Sequence, residues 1–361
     1  MTDGPVAEGD GRADERQRRL DDLEALRADG VDPYPVRFDR TDTSAALRQR
    51  FGDLPAGTET GEPVAVAGRI FLLRRQGGLC FATLRDGSGA FQLLVSRGEV
   101  GEEQFSVFSR LDRGDWIGAA GGVMTTRRGE LSVKVASFEL LAKALCPLPE
   151  KWHGLSDVEA RFRSRPVDLV VNEESRRVLS VRHTAIASVR RFLEGRGFVE
   201  VETPVLHPVA GGAAARPFVT HHHALGTDLY LRVAPELYLK RLVVAGYERV
   251  FEVGRVFRNE GVSTRHNPEF TMLEAYQALA DYTDMMVLVE ELVAEAARVA
   301  TGGTVVVVDG VSIELAPPWR RAPLLELVEH HAGVEVHPSM PREDLVRICG
   351  SLGVPVQPDW G

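Results

Sequence analysis

The chain has 361 residues, room for two domains of roughly 100–200 residues each, and its 44% hydrophobic and 26% charged residues are ordinary for a globular protein. A net charge of −9 argues against a general nucleic-acid binder, because phosphate contacts need Lys and Arg. Cys80, Cys146 and Cys349 lie too far apart for a disulfide framework or a CxxC metal site; each reads as a small buried or half-buried side chain in a reducing, cytoplasmic setting.

The start, MTDGPVAEGDGRADERQRR, has no apolar signal core. No apolar run reaches the roughly 20 residues that span a bilayer, so no membrane partner is expected. Residues 1–15 read as a disordered tail, and 16–62 as a helical extension and linker. DERQRRLDDLEALRADG predicts a helix with a narrow stripe of Leu20, Leu23 and Leu26, stopped at Gly30. DPYP breaks it, and FGDLPAGTETGEP (51–63) reads as linker.

Residues 63–145 change to short alternating strands: VAVAGRIFLLRR, CFATLRDGSGAFQLLVS and DWIGAAGGVMTTRRGELSVKVASFELL, with turn chemistry at DGSG and RRGE. About five strands in this span predict a small barrel of the oligonucleotide-binding type. The segment holds eleven Lys and Arg against eight Asp and Glu, so it is mildly basic within an acidic chain. Residues 146–176 carry several prolines and read as a hinge.

From 177 to 361 helices and strands interleave, giving an α+β class overall: the barrel, then an antiparallel sheet flanked by helices. SRRVLSVRHTAIASVRRFLEGRGF predicts a long amphipathic helix with Leu179, Ile186, Val189, Phe192 and Leu193 near 3–4 spacing, ended by Gly195 and Gly197. FVEVETPVL, ERVFEVGRVF and PEFTMLEAYQAL read as strands, VVVVDGVSIEL as a hairpin turning at Asp309-Gly310. PELYLKRLVV, YTDMMVLVEELVAEAARVA and MPREDLVRICGSLG read as helices.

The stretch RVFRNEGVSTRHNPEFTMLEAY (255–276) mixes both charges with aromatics in a way no surface helix needs. Strand parity puts Glu252, Gly254, Val256 and Arg258 on one face, and Phe270, Met272, Glu274 and Tyr276 on one face of a second strand. Joined through NEGVSTRHN, the two would form a hairpin gathering an arginine, an aromatic plate, and a carboxylate beside a phenol. Such groups suit a planar anion, a stacked base and a cation, hence a purine nucleotide next to an amine. Spacing alone leaves open a surface hairpin with solvated charges and one buried aromatic per strand. His221-His222-His223 points to different faces and makes a poor metal site. Phe81 in CFATL, taken by spacing, reads as core more readily than as a stacking surface.

The same stretch resembles motif 2 of the class II aminoacyl-tRNA synthetases, in the form found in bacterial-type lysyl-tRNA synthetases. GFVEVETPVL resembles motif 1, with Pro204 as its proline at the dimer interface. AGGAAARPFVTHHHALGTDLYLRVAPELYLKRL resembles the segment between the two motifs, and KWHGLSDVEARFRSRPVDLVVN the family's hinge. The resemblance runs from about residue 15 to 361.

It implies a homodimer that joins L-lysine to tRNA(Lys) with ATP and Mg2+, through a lysyl-adenylate. Arg258 would be catalytic, bridging the lysine carboxylate and the α-phosphate. Glu260, Arg265, His266, Asn267 and Phe270 would join it in binding ATP, with Phe270 stacked on adenine. Gly212 and Glu236 would meet the lysine α-ammonium, and Glu274 and Tyr276 its side-chain ammonium. In the barrel, Arg74 or its neighbour Arg75, Phe81, Gln92 and Glu130 would read the anticodon. The aspartyl and asparaginyl relatives need a basic group where Glu274 and Tyr276 stand, and relatives that ligate lysine to a protein lack the barrel.

Two departures carry expectations. QGGLC (76–80) stands where the family often has a lysine. No GxGxDR-like motif 3 occurs, so the family's Mg2+ ligands and a further glutamate are expected in a C-terminal part beyond residue 361, and this chain alone is expected to be inactive. The alternative is a natural truncation that binds tRNA or a partner without catalysis.

Overall fold

The computed structural model describes residues 10–149, 155–263 and 265–358. The expected tail up to residue 9, part of the hinge (150–154), Thr264 in the hairpin loop and the final three residues lie outside the described residues. The chain divides into two compact units, 1–173 and 174–361.

The first unit opens with α1 (Asp10–Ala28) and α2 (Ser44–Phe51). The helix thus takes in residues 10–15, where a tail was expected. Tertiary docking explains the difference: Arg19 is 3% exposed, pairs with Glu15 at 2.7 Å, and donates to the carbonyls of Arg113 (3.1 Å) and Ala144 (3.0 Å). Leu23 and Leu26 are buried as the stripe predicts, and Leu20 is half-buried. α2 falls where no helix was read; Thr43 caps it, its hydroxyl accepting from the Ala46 N–H at 3.2 Å.

Five strands follow: β1 (Glu59–Gln76), β2 (Leu79–Arg85), β3 (Ala90–Ser96), then α3 (Arg97–Ser109), β4 (Trp116–Thr125) and β5 (Leu131–Ala142). They close a barrel in the order β1-β2-β3-β5-β4, parallel only between β3 and β5. β1 begins inside the stretch read as linker, four residues before 63. α3 was not legible because Gly98 and Gly101 interrupt its period; Gly101 sits at φ +82, while Phe105 and Phe108 bury into the barrel core. Alternation sorts β2 cleanly: Cys80, Ala82 and Leu84 are buried in the core, and Phe81 and Thr83 alternate with them. Cys146 is exposed, a correction to its reading as a buried or half-buried thiol. The hinge contains α4 (Val158–Arg163) and α5 (Arg165–Val171). They are knotted by the fully buried Asp168, which accepts from Arg161 at 2.9 Å and Arg165 at 2.7 Å.

α6 (Glu173–Gly195) leads into the second unit. Then come β6 (Val199–Glu200), β7 (Leu206–His207), β8 (Val219–His222), β9 (Thr227–Leu231), α7 (Glu236–Val244), β10 (Arg249–Phe257) and β11 (Glu269–Gln277). α8 (Tyr282–Thr301), β12 (Val305–Val308), β13 (Val311–Glu314), α9 (Leu324–Ala332) and α10 (Arg342–Ser351) complete it. The expected strand FVEVETPVL is reduced to β6 and β7, because Pro204 cannot continue a ladder. β10 and β11 are antiparallel, and β6 joins β10 in parallel. β12 and β13 turn at Asp309 (φ 50) and Gly310 (φ 81), as the Asp-Gly pair predicts.

The core of this unit explains what the hairpin presents. Phe251, Val253 and Ala275 pack with Leu193 and Phe198 below and with Leu288 of α8. Those odd positions face the two long helices, so the even positions of β10 and β11 face away. α7 packs on β10 and β11, and its Lys240 lies over the ring of even-numbered Tyr276. Among the described residues no helix is long and apolar enough to cross a membrane.

Candidate active site and barrel groove

The β10–β11 register pairs Val256 with Phe270, Gly254 with Met272, Glu252 with Glu274 and Val250 with Tyr276. The face expected from parity therefore exists, and it holds Phe270, Glu274 and Tyr276 beside Glu252. Arg258 continues β10: its N–H donates to the Pro268 carbonyl at 2.8 Å, and its guanidinium lies 5.3 Å from the Phe270 ring centroid. Its Nε is buried with no hydrogen-bond partner. A buried cationic donor held over an aromatic face and left unpaired is a position ready for an anion.

At the other end of the face, the Tyr276 hydroxyl donates to Glu274 at 3.1 Å. Burial pushes the Glu274 carboxyl above its ordinary value, and the charges of Glu236 and Glu252 add to this against the Tyr276 bond and Arg232. Burial and the Glu274 charge push the Tyr276 phenol far up as well. Glu274 is bonded by a neutral phenol and by no paired cation among the described residues, which is the condition a bound cation relieves.

Beneath them lies a network that sequence reasoning missed. Arg232 and Glu252 are 3% and 4% exposed and pair at 2.5 Å. The Thr203 hydroxyl donates to Glu252 at 2.6 Å, and Arg232 donates to the Arg255 carbonyl at 2.8 Å. Gly254 makes room: a Cβ there would stand 2.1 Å from an Arg232 nitrogen. Only the packing of Arg232, one residue past β9, against β10 reveals this role; nothing in its local sequence marks it.

Gly212 has φ +94, and a Cβ there would press on the Cβ atoms of Ala234 and Glu236 at 3.3 Å, so this backbone approaches the start of α7 closely. Glu236 opens α7, and its carboxylate is bonded by Lys240 at 2.6 Å. The 211–216 segment also meets the hairpin loop: the Asn259 N–H donates to the Arg216 carbonyl at 2.7 Å, and the Arg216 N–H to Glu260 at 3.4 Å. Arg265, His266 and Asn267 stay exposed in that loop, where the bonds described are local, such as His266 Nδ1 with Ser263 Oγ at 2.9 Å. Pro204 is exposed, and its carbonyl meets His207 Nε2 at 2.9 Å. His221 bonds Asp228 at 2.8 Å within the β8–β9 hairpin. Among the described residues no three His, Cys, Asp or Glu converge as a metal site.

In the first unit, Arg74, Phe81, Gln92 and Glu130 line one groove of about 720 Å³ on the barrel, with Thr83 and Thr126. Arg74 donates to Gln92 at 3.2 Å and lies 6.0 Å from the Phe81 ring centroid. Arg75 is committed elsewhere, donating to the carbonyls of Ser109 and Leu111, which separates the two neighbouring arginines. Phe81 is half-buried in the groove wall, not in the core as spacing alone suggests.

A barrel with an aromatic groove, followed by a sheet that aims an unpaired arginine and a set of carboxylates from one face, is the build of a nucleotide-using tRNA enzyme. The chain belongs to the class II tRNA synthetases (D, K and N): the model of that family matches residues 157–345, and an OB-fold nucleic acid binding domain matches 64–141. It is 50% identical to the lysine–tRNA ligase of Pelotomaculum thermopropionicum over 347 residues, which is 95% of this chain and 68% of that protein. It is 50% identical to the lysine–tRNA ligase of Moorella thermoacetica over 340 residues (94% and 68%), and to that of Roseiflexus castenholzii over 351 residues (96% and 71%). The chain thus spans about two-thirds of the length of these relatives.

Proposed function

We infer that this chain is a lysine–tRNA ligase, an aminoacyl-tRNA synthetase that activates L-lysine with ATP and transfers it to the 3′ end of tRNA(Lys). The observation that carries the choice of lysine is the acidic end of the hairpin face: Glu274 bonded to Tyr276, with Glu236 and Glu252 close enough to raise its pKa. An aspartate or asparagine side chain would find the wrong polarity there.

One lysine carboxylate oxygen attacks the α-phosphorus of ATP, the bond to pyrophosphate breaks, and lysyl-adenylate forms. A hydroxyl of the terminal tRNA ribose then attacks the lysyl carbonyl, and AMP leaves. Such in-line chemistry needs positioning and charge neutralisation more than a base. Arg258, with its Nε unpaired, would lie between carboxylate and α-phosphate and hold them in line. Phe270 would carry adenine, with Glu260 near the base or the incoming tRNA end, and Arg265, His266 and Asn267 on the phosphates. Gly212 and Glu236 would take the lysine α-ammonium, and Glu274 and Tyr276 the side-chain ammonium.

The barrel groove, with Arg74, Phe81, Gln92 and Glu130, would stack and edge-read single-stranded anticodon bases. A homodimer through α6 and the segment holding Pro204 is supported by the exposed Val178, Leu179 and Val199. The work on tRNA fits a cytoplasmic location, and Mg2+ would accompany the ATP.

The test is ATP–pyrophosphate exchange by the complete gene product with lysine, aspartate and asparagine offered separately. Exchange should depend on lysine. Exchange driven by aspartate or asparagine instead would overturn the reading.

A further inference from the structure

We propose that Lys240 is an internal competitor for the substrate: its ammonium occupies Glu236 when lysine is absent and must give way to the incoming α-ammonium. The proposal rests on the assignment of Glu236 to that ammonium and adds a residue to which no role has been given above.

The geometry carries it. Lys240 Nζ lies 2.6 Å from Glu236 Oε1 and 5.8 Å from the ring centroid of Tyr276. Tyr276 in turn bonds Glu274. One ammonium therefore sits against the carboxylate at one end of the lysine site and the aromatic face at the other. Both contacts are ones a lysine ligand would make, a carboxylate for its charge and a ring face for its cation. Lys240 reaches them from α7, one turn after Glu236, on the side of the hairpin that carries Phe270 and Glu274.

A plain surface pair on a helix would share the i,i+4 spacing, with Glu ahead of Lys. It would not also lie over an aromatic ring of a different element whose hydroxyl is bonded to a second carboxylate. Lys240 is 55% exposed at its side chain against 30% for Glu236, so the lysine can swing into solvent while the carboxylate stays in place. Displacement is cheap for the same reason, since exposed pairs are weak. The arrangement has a chemical use. With Lys240 in place the empty site presents less bare negative charge to other cations, and a ligand must bring both an α-ammonium and a side-chain ammonium to gain the full set of contacts.

The experiment compares two ligands by calorimetry on the full-length protein: L-lysine, and 6-aminohexanoate, which keeps the carboxylate and distal ammonium but has no α-ammonium. Lys240→Met should tighten lysine binding about twofold to fivefold, the range set by an exposed ion pair, and shift 6-aminohexanoate less, because the ring contact at 5.8 Å is weak beside the ion pair at 2.6 Å. Lys240→Arg, which keeps a competing cation, should return the lysine affinity towards wild type. The proposal is overturned if Lys240→Met leaves lysine affinity unchanged or weakens it, or if 6-aminohexanoate shifts as much as lysine. Glu236→Gln separates the two layers of the argument. It should weaken lysine and spare 6-aminohexanoate. If it spares both, the placement of the α-ammonium is wrong. If it behaves as expected while Lys240→Met does nothing, only the competitor role fails.

Discussion

In the proposed site Glu274 is the residue on which substrate choice would turn, and its environment sets a pH signature. Burial and the neighbouring Glu236 and Glu252 charges raise its carboxyl above 4.5. A raised carboxyl favours the neutral form in the folded chain. Its contribution to stability is therefore complete below the unfolded value and is lost as pH rises through the folded one. Binding runs the other way, because a lysine ammonium needs the ionised form. We expect lysine affinity to fall as pH drops, with the fall beginning above pH 4.5, while the ligand's own side chain stays charged throughout. Glu274→Gln should lower lysine affinity roughly 10- to 100-fold at neutral pH, the range for a lost hydrogen bond to a charged group, and should remove the acid limb. Calorimetry from pH 5 to 8 checks both, and an unchanged limb in the variant would assign the titration to another group.

At the scale of elements, the β10–β11 hairpin does two jobs with the two sides of one ladder. Its odd positions join Leu193, Phe198 and Leu288 in the core, and its even positions carry the residues of the proposed site. The even side tolerates buried charge because the chain just past β9 delivers Arg232 to Glu252 through the gap left by Gly254. Gly254→Ala should push the guanidinium away and leave Glu252 buried without its partner. Removing one partner of a buried pair costs roughly 3–5 kcal/mol. Chemical denaturation should show a loss on that scale with the midpoint shifting and the slope unchanged; a loss below about 1 kcal/mol would mean the arginine finds another path to Glu252.

At the scale of the whole molecule, the chain divides into two compact units, and under the proposed function they would carry separable tasks, nucleic-acid reading by the barrel and activation by the hairpin face. Phe81 tests the separation, because β2 keeps its core with Cys80, Ala82 and Leu84 and spends Phe81 on the groove. Phe81→Ala should cut tRNA charging about tenfold or more, since stacking on one aromatic is worth roughly 1–3 kcal/mol per base, and leave lysine-dependent pyrophosphate exchange near wild type. Equal loss of both activities would place Phe81 in a structural role.

Much of this was legible in the sequence. The barrel strands show as period-2 runs between turn residues, and the hairpin face follows from parity alone, because a strand's side chains must alternate. Parity places Arg258, Phe270, Glu274 and Tyr276 there, and the resemblance of the stretch to motif 2 is the source of the roles proposed for them. Local pattern could not see α2 or α3, whose periods are short or broken by glycine. It also could not see that α1 begins before residue 15, which depends on Arg19 reaching the barrel backbone. Three further facts belong only to the tertiary structure: the pairing of Arg232 with Glu252, the choice of Arg74 over Arg75 for the groove, and the ammonium of Lys240 over the Tyr276 ring. Each joins residues through packing or reach across elements, and a side chain's burial and partner are set by what the fold brings beside it.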